Sequence, residues 1–241
     1  MLTRLAIVAL LFSPPVAAAE TPLCDAATKA NATCGCDVRT LRPLQGAVGM
    51  EEVRKKVSDI VKDPEGEARD LKDDPIKVIR GPEGALFITD HHHAADAWRL
   101  AGRPVALCQI GERPPFATEA QFWSDLVKDR LVRLADANGK PLTPAQLPPN
   151  LESMPDDPYR SLAWLVRKED GFCRSEMQKE FAEFIWADWL RDRKELPVDA
   201  VRTSTKAQLS TALGLVRGPD AKAMPGYIGD KPAGFKCPKK S

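Results

Sequence analysis

All three histidines of this 241-residue chain are contiguous, His91, His92 and His93, and Asp90 precedes them. Imidazole has an unperturbed pKa of about 6.5, so near neutrality it donates to phosphate oxygens when charged or exchanges protons when neutral. Position adds to type. The apolar run before Asp90 reads as a strand, and residues 92–101 read as a short helix closed by Gly102. The first N–H groups of a helix lack internal acceptors and carry the positive end of its dipole, an arrangement that suits phosphate. Successive side chains point about 100° apart on a helix and about 180° apart on a strand. Three adjacent rings therefore cannot converge on one metal. His91 with His93, or one ring with Asp90, would need ligands from elsewhere. A divalent metal ion is the cofactor left open, with no metal ligand assigned.

The elements that must hold this junction are legible on both sides. Residues 75–79 (PIKVI) and 85–89 (ALFIT) alternate as strands around the turn Gly81-Pro82-Glu83-Gly84, and residues 104–110 form a third strand. Upstream, Val53, Val57, Ile60 and Val61 recur at helical spacing over residues 51–62, whereas the charged stretch 63–74 reads as loop or frayed helix. Downstream, Thr118 opens a capping box, and Phe122, Leu126, Leu131 and Leu134 predict a helix running to Asn138-Gly139. Residues 141–158 are Pro-rich loop, and residues 157–166 lead into another helix. A second capping box at Ser175, Glu176, Met177 and Gln178 opens an aromatic helix carrying Phe181, Phe184, Trp186 and Trp189. Lys206 to Val216 is a last amphipathic helix. The four Trp of this half are expected in its core.

Residues 1–19 read as an export signal: Arg4 supplies a positive start, residues 5–12 a short apolar run, and Ala17-Ala18-Ala19 a small-residue cleavage pattern before Glu20. Its removal takes away one cation and leaves 34 charges of each sign. That neutrality excludes a broad electrostatic grip on nucleic acid. No later stretch approaches the roughly 20 apolar residues that span a bilayer, so no membrane contact is expected. Export to a periplasm places Cys24, Cys34, Cys36, Cys108, Cys173 and Cys237 in an oxidising compartment. An even number there favours disulfides, in any of 15 pairings; Cys108 also reads as a simple buried thiol.

A set of motifs carries a resemblance. Leu41-Arg42-Pro43-Leu44-Gln45, Val48-Gly49-Met50, Val53, Lys56, Pro75-Ile76-Lys77-Val78, Gly81-Pro82-Glu83-Gly84 and Asp90-His91-His92-His93 resemble the ParB-like nuclease family of the ParB/sulfiredoxin superfamily. The similarity continues through Phe122-Trp123, Asp156-Asp157-Pro158-Tyr159-Arg160-Ser161-Leu162-Ala163, Val166-Arg167 and residues 181–188, covering roughly 40–193. It implies an α+β fold: a small ParB/sulfiredoxin-like mixed α/β core over 41–113, then a helical, Trp-rich extension over 114–217. Residues 20–40 would form a Cys-containing N-terminal segment and residues 218–241 a Pro/Gly/Lys-rich tail. It also implies that the helix N-terminus receives a phosphate. Relatives read D-G-H-H-R or G-x-H-R at the junction. Asp90, His92 and His93 match; His91 stands for the glycine, and Ala94 for the arginine that would clamp phosphate. No cysteine stands at the junction, which argues against sulfiredoxin-type chemistry.

Three functions follow. The first is a phosphate-handling enzyme, a phosphodiesterase or nuclease, acting on a phosphate-containing small molecule or nucleic acid. His92 or His93 would be the base or acid, Asp90 would orient a ring, and His91, Gln45, Lys56 and Arg160 would hold the ligand. The second is a non-catalytic module binding an anion, a peptide or a partner protein. The third is a periplasmic metal-binding protein. Arg160 is expected to pair with Asp157 across their loop, and Glu183 to be either the buried partner of an arginine or a site carboxylate.

Overall fold

The structure is a computed structural model and describes residues 21–173, 181–229, 231–232 and 235–237. The export signal and the capping box at 175–178 lie outside the described residues. The alternating strands of the sequence appear as β3 (Ile76–Arg80), β4 (Leu86–Asp90) and β5 (Val105–Ile110). Two further strands join them, β1 (Thr33–Asp37) and β2 (Arg42–Pro43), giving a mixed sheet of order β1-β5-β3-β4-β2. β3 pairs antiparallel with β4 and parallel with β5; β1 pairs antiparallel with β5, and β2 parallel with β4. Neither extra strand has a periodic signal, since β2 is two residues long and β1 is Gly- and Cys-rich. Covalent bonds hold β1 instead: Cys24–Cys34 ties it to the segment before it, and Cys36–Cys108 ties it to β5. Cys173–Cys237 completes the set, so all six cysteines are paired, Cys108 included.

Period-2 alternation puts the two faces of the sheet against different partners. On one face Ile76, Val78 and Ile88 pack with Val53 and Ile60 of α1 (Met50–Lys62) and with Ala95 and Trp98 of α3 (His92–Leu100). On the other, Ile79 and Phe87 pack with Leu44 and with Phe122 and Leu126 of α4 (Glu119–Lys128). A separate helical core follows. Tyr159, Leu162 and Val166 of α5 (Pro158–Lys168) meet Trp186 and Leu190 of α6 (Ala182–Arg191), Val201 of α7 (Val198–Thr203) and Val216 of α8 (Leu209–Arg217). Trp186 is fully buried there, stacked on Phe172 at 4.7 Å. The molecule is thus an α+β fold with a helical second half.

Two elements depart from the sequence expectations. Residues 64–73 form a regular helix, α2, because Asp63 accepts the N–H of Gly66 at 2.8 Å and Pro64 fits the first turn. Only Leu71 of α2 is buried, so apolar periodicity could not reveal it. Conversely α4 ends at Lys128, not near Asn138. Arg130 adopts a left-handed φ of 56°, and the N–H of Leu131 returns to the carbonyl of Leu126, a helix-terminating pattern. The chain then runs extended beside residues 44–45, with Arg133 N–H donating to the Leu44 carbonyl. Leu131 and Leu134 still reach the apolar layer, but as extended chain.

Candidate functional site at the start of α3

β4 delivers the chain to α3 through His91, whose φ of 70° is left-handed. A non-glycine residue there costs about 1–2 kcal/mol. Asp90 Oδ1 accepts the N–H of His91 at 2.7 Å, so Asp90 braces this turn and does not orient an imidazole. No side chain caps α3, and no acid stands in its first turn. The N–H groups of His92, His93 and Ala94, which follow the N-cap, are therefore free of a side-chain acceptor.

The three rings diverge. His91 Nε2 lies 3.2 Å from Asp74 Oδ2 at the end of α2, beside Lys77. His92 Nε2 accepts the backbone N–H of Leu44 at 3.1 Å, and His93 Nε2 accepts that of Gly49 at 3.2 Å. An imidazole nitrogen that accepts is unprotonated, so both rings carry their proton on Nδ1. Burial enforces this neutrality. His92 is 4% exposed, and burial, then the adjacent His93 and His91, take its pKa down to about 3. His93 is pushed to about 4, by burial first and then by Arg160 and Lys56, against the opposing pull of Glu52 and Glu183. Gln45 closes the same loop, donating Nε2–H to the carbonyl of Ala47 at 2.9 Å. His92, His93 and Gln45 thus pin residues 44–49 across the start of α3. As the structure stands, the ring nitrogen that would serve as a base already holds a backbone proton in each case.

Beside His93 lies a charged cluster. Glu52 Oε2 is 3.6 Å from His93 Nε2 and 3.1 Å from Arg160 Nη2. Burial opposes the ionisation of Glu52, yet the facing His93, Arg160 and Lys56 outweigh it and bring its pKa to about 2. At neutral pH Arg160 and Lys56 carry that role, since His93 is itself uncharged. Arg160 is only 6% exposed; its Nε and Nη1 are buried without a hydrogen-bond partner, and its guanidinium sits 5.4 Å from the Phe184 ring centre. Lys56 stands one turn along α1 from Glu52 and is half-buried. Glu183 pairs with Arg167 at 2.9 Å, as expected of a buried carboxylate.

The segment 156–161 explains how this cluster is positioned. Asp156 Oδ1 accepts the N–H of Met50 at 3.0 Å and Ser161 Oγ accepts that of Glu51 at 3.1 Å, so the start of α1 is capped by residues more than a hundred positions away. Asp157 accepts the N–H groups of Tyr159 and Arg160, capping α5, and its other oxygen holds Arg191 at 2.8 Å. The expected Arg160–Asp157 side-chain pair is therefore replaced by Arg160–Glu52 and Arg191–Asp157. Gly49 makes the close approach possible. A Cβ there would lie 3.0 Å from the Ser161 nitrogen and 3.1 Å from Arg160 Cγ.

Of the residues singled out in the sequence, Lys56, His93 and Arg160 come together around Glu52, while His91 faces Asp74 and Gln45 and His92 serve the loop. Glu52, Asp156 and Ser161 escape a sequence reading. The only signal for Glu52 is an acid in the first turn of a helix, and the two caps are fixed by tertiary contacts alone. Among the described residues, no three His, Cys, Asp or Glu side chains form a group able to hold a metal ion. Nor is any helix among them long and apolar enough to cross a membrane.

Comparison with known proteins agrees with this architecture. The model of the family described as "Putative ParB-like nuclease" matches residues 34–192, and the chain belongs to that family. The crystal structure of protein Atu1540 from Agrobacterium tumefaciens is similar with a TM-score of 0.74 and 30% identity, covering 83% of this chain and 99% of that one. A C-terminally truncated chromosome-partitioning protein ParB from Caulobacter crescentus, complexed with CTP-gamma-S, matches at 12% identity over 78% of this chain and 94% of that one. Its TM-score of 0.29 carries no argument about this chain. No curated protein matches.

Proposed function

We propose that this protein binds phosphate esters, a nucleotide or a phosphodiester, at the β4–α3 junction. The carrying observation is that α3 starts without a side-chain cap or an acid in its first turn, while two neutral rings fix the loop that faces it. Backbone N–H groups at a helix start supply both donors and positive potential. Lys56, and Arg160 through the Nε and Nη1 donors that its pair with Glu52 leaves unused, add positive charge beside that start. His92 and His93 act as positioning residues in this reading, not as proton carriers. Membership of a nuclease-like family supports phosphate as the ligand class.

One observation favours hydrolysis as a second reading. Arg160 keeps Nε and Nη1 buried and unpartnered next to Glu52, the kind of spare donors that stabilise charge developing on a phosphoryl group. Export is the companion proposal for where the protein works, supported by the three disulfides and by the composition of residues 1–19. The test adds inorganic phosphate, a mononucleotide and bis(p-nitrophenyl) phosphate to the full disulfide-bonded chain, reading amide chemical shifts and p-nitrophenol release. Saturable shifts at residues 91–94 are the expected result, and their absence with all three probes overturns the proposal. Nitrophenol release lost in Arg160→Lys carries the second reading; binding without release removes it.

A further inference from the structure

A cavity of about 470 Å³ opens between α5, the end of α6 and the start of α7, and none of the three histidines lines it. Its accessible apolar lining is Pro197 and Val198; Tyr159 and Leu196, which also border it, are buried and locked together by a hydrogen bond from the Tyr159 hydroxyl to the Leu196 carbonyl. Its rim is cationic: Arg191, Arg193, Lys194 and Arg202.

Structural duties account for only part of that charge. Arg191 is committed to Asp157 and Asp188, and its guanidinium lies 5.2 Å from the Tyr159 ring centre. Arg193 stacks on Trp189 at 4.3 Å and donates to the Trp189 carbonyl, so no carboxylate neutralises it. Lys194 and Arg202 have no ion-pair partner among the described residues. Cations near the end of α6 are welcome to its free carbonyls, but Arg202 comes from α7, on another side of the cavity. Asp192, Glu195 and Asp199 lie in the same stretch of chain and none of them lines the space. Three cations without an ion-pair partner among the described residues thus ring a small-molecule-sized hollow whose accessible apolar lining is Pro197 and Val198.

We propose that this cavity is a second binding site, separate from the α3 junction, for an organic phosphate monoester. The dianionic head is held by Arg193, Lys194 and Arg202, and the apolar body rests on Pro197 and Val198. Three uncompensated cations select a dianion over a monocarboxylate, because one carboxylate neutralises only one of them. The concavity selects a small molecule over a nucleic-acid backbone, which needs an extended basic track.

Calorimetric titration of the full disulfide-bonded chain with phenyl phosphate, inorganic phosphate and benzoate tests this. Phenyl phosphate is expected to bind about tenfold or more tightly than either other probe, since inorganic phosphate lacks the apolar body and benzoate carries only one charge. The double substitution Lys194→Ala with Arg202→Ala breaks no hydrogen bond or ion pair among the described residues. It should weaken phenyl phosphate by about tenfold or more at an unchanged thermal midpoint, and leave any amide shifts at residues 91–94 in place. Equal binding of benzoate and phenyl phosphate, unchanged affinity in the double variant, or no binding of phenyl phosphate at millimolar concentration would each overturn the second site.

Discussion

The junction at α3 and the arginine layer between α5 and α6 handle polarity in opposite ways. At the junction the buried polar groups are kept neutral: His92 and His93 accept backbone N–H groups, and burial holds both rings uncharged. In the arginine layer they are kept charged and matched, Arg160 to Glu52, Arg167 to Glu183 and Arg191 to Asp157. Neutral rings add no charge of their own to the helix start, which suits reversible capture of an anion. A matched ionic layer gains little net energy from each pair but makes loss of either member expensive. The junction is therefore the part built for a ligand, and the layer beneath it the part built to hold its geometry.

The largest effect should come from breaking the ionic layer. Glu52→Ala leaves the buried Arg160 charge uncompensated and is expected to cost about 3–5 kcal/mol in urea unfolding, whereas replacing Glu52 and Arg160 together by Leu and Met should cost far less. If the double replacement is as damaging as the single one, the two residues do not act as a pair.

Acid attacks the other region. A folded pKa lowered to about 3 for His92 and about 4 for His93 means that the unfolded chain binds their protons first. Their contribution is complete above the unfolded value of about 6.5 and is lost as pH falls from there towards the folded values, at about 1.4 kcal/mol per pH unit for each ring. Unfolding free energies measured from pH 7.5 to 5 should show this slope, and a flat profile would mean that the rings are not held neutral.

Single-ring deletions sharpen the comparison. His92→Ala or His93→Ala strands the N–H of Leu44 or Gly49 and leaves a void, for about 2–4 kcal/mol. His91→Ala, which loses a half-exposed pair with Asp74, should stay within about 0.5 kcal/mol in the same unfolding assay. The disulfides give the smallest contrast. In the chain-entropy account Cys36–Cys108, 72 residues apart, contributes about 4 kcal/mol and Cys24–Cys34, 10 apart, about 3. Paired Cys→Ser variants compared by thermal unfolding check the order.

What the sequence reveals follows from where the information lies. β3, β4, β5 and the start of α3 are legible because alternation, the turn at 81–84 and the break at Asp90 are local signals. β1 and β2 are not, since one is held by disulfides and the other is two residues long. The overestimate of α4 has a similar cause: Leu131 and Leu134 are buried, yet a left-handed Arg130 changes the backbone that buries them. The helix-start site is legible in the same local way. The directions of the His92 and His93 rings are not, because they depend on the N–H groups of Leu44 and Gly49 and on Glu52, all more than 40 positions away. Motif resemblance located the 156–161 segment, but only tertiary contacts reveal that Asp156 and Ser161 cap α1.

The most direct test of the central claim is a nitrogen-15 NMR titration of the three imidazoles between pH 8 and 5.5, with and without a mononucleotide. The His92 and His93 rings should remain neutral Nδ1–H tautomers throughout, and the nucleotide should shift the amides of residues 91–94 without protonating either buried ring. Protonation of either buried ring within that range would contradict it.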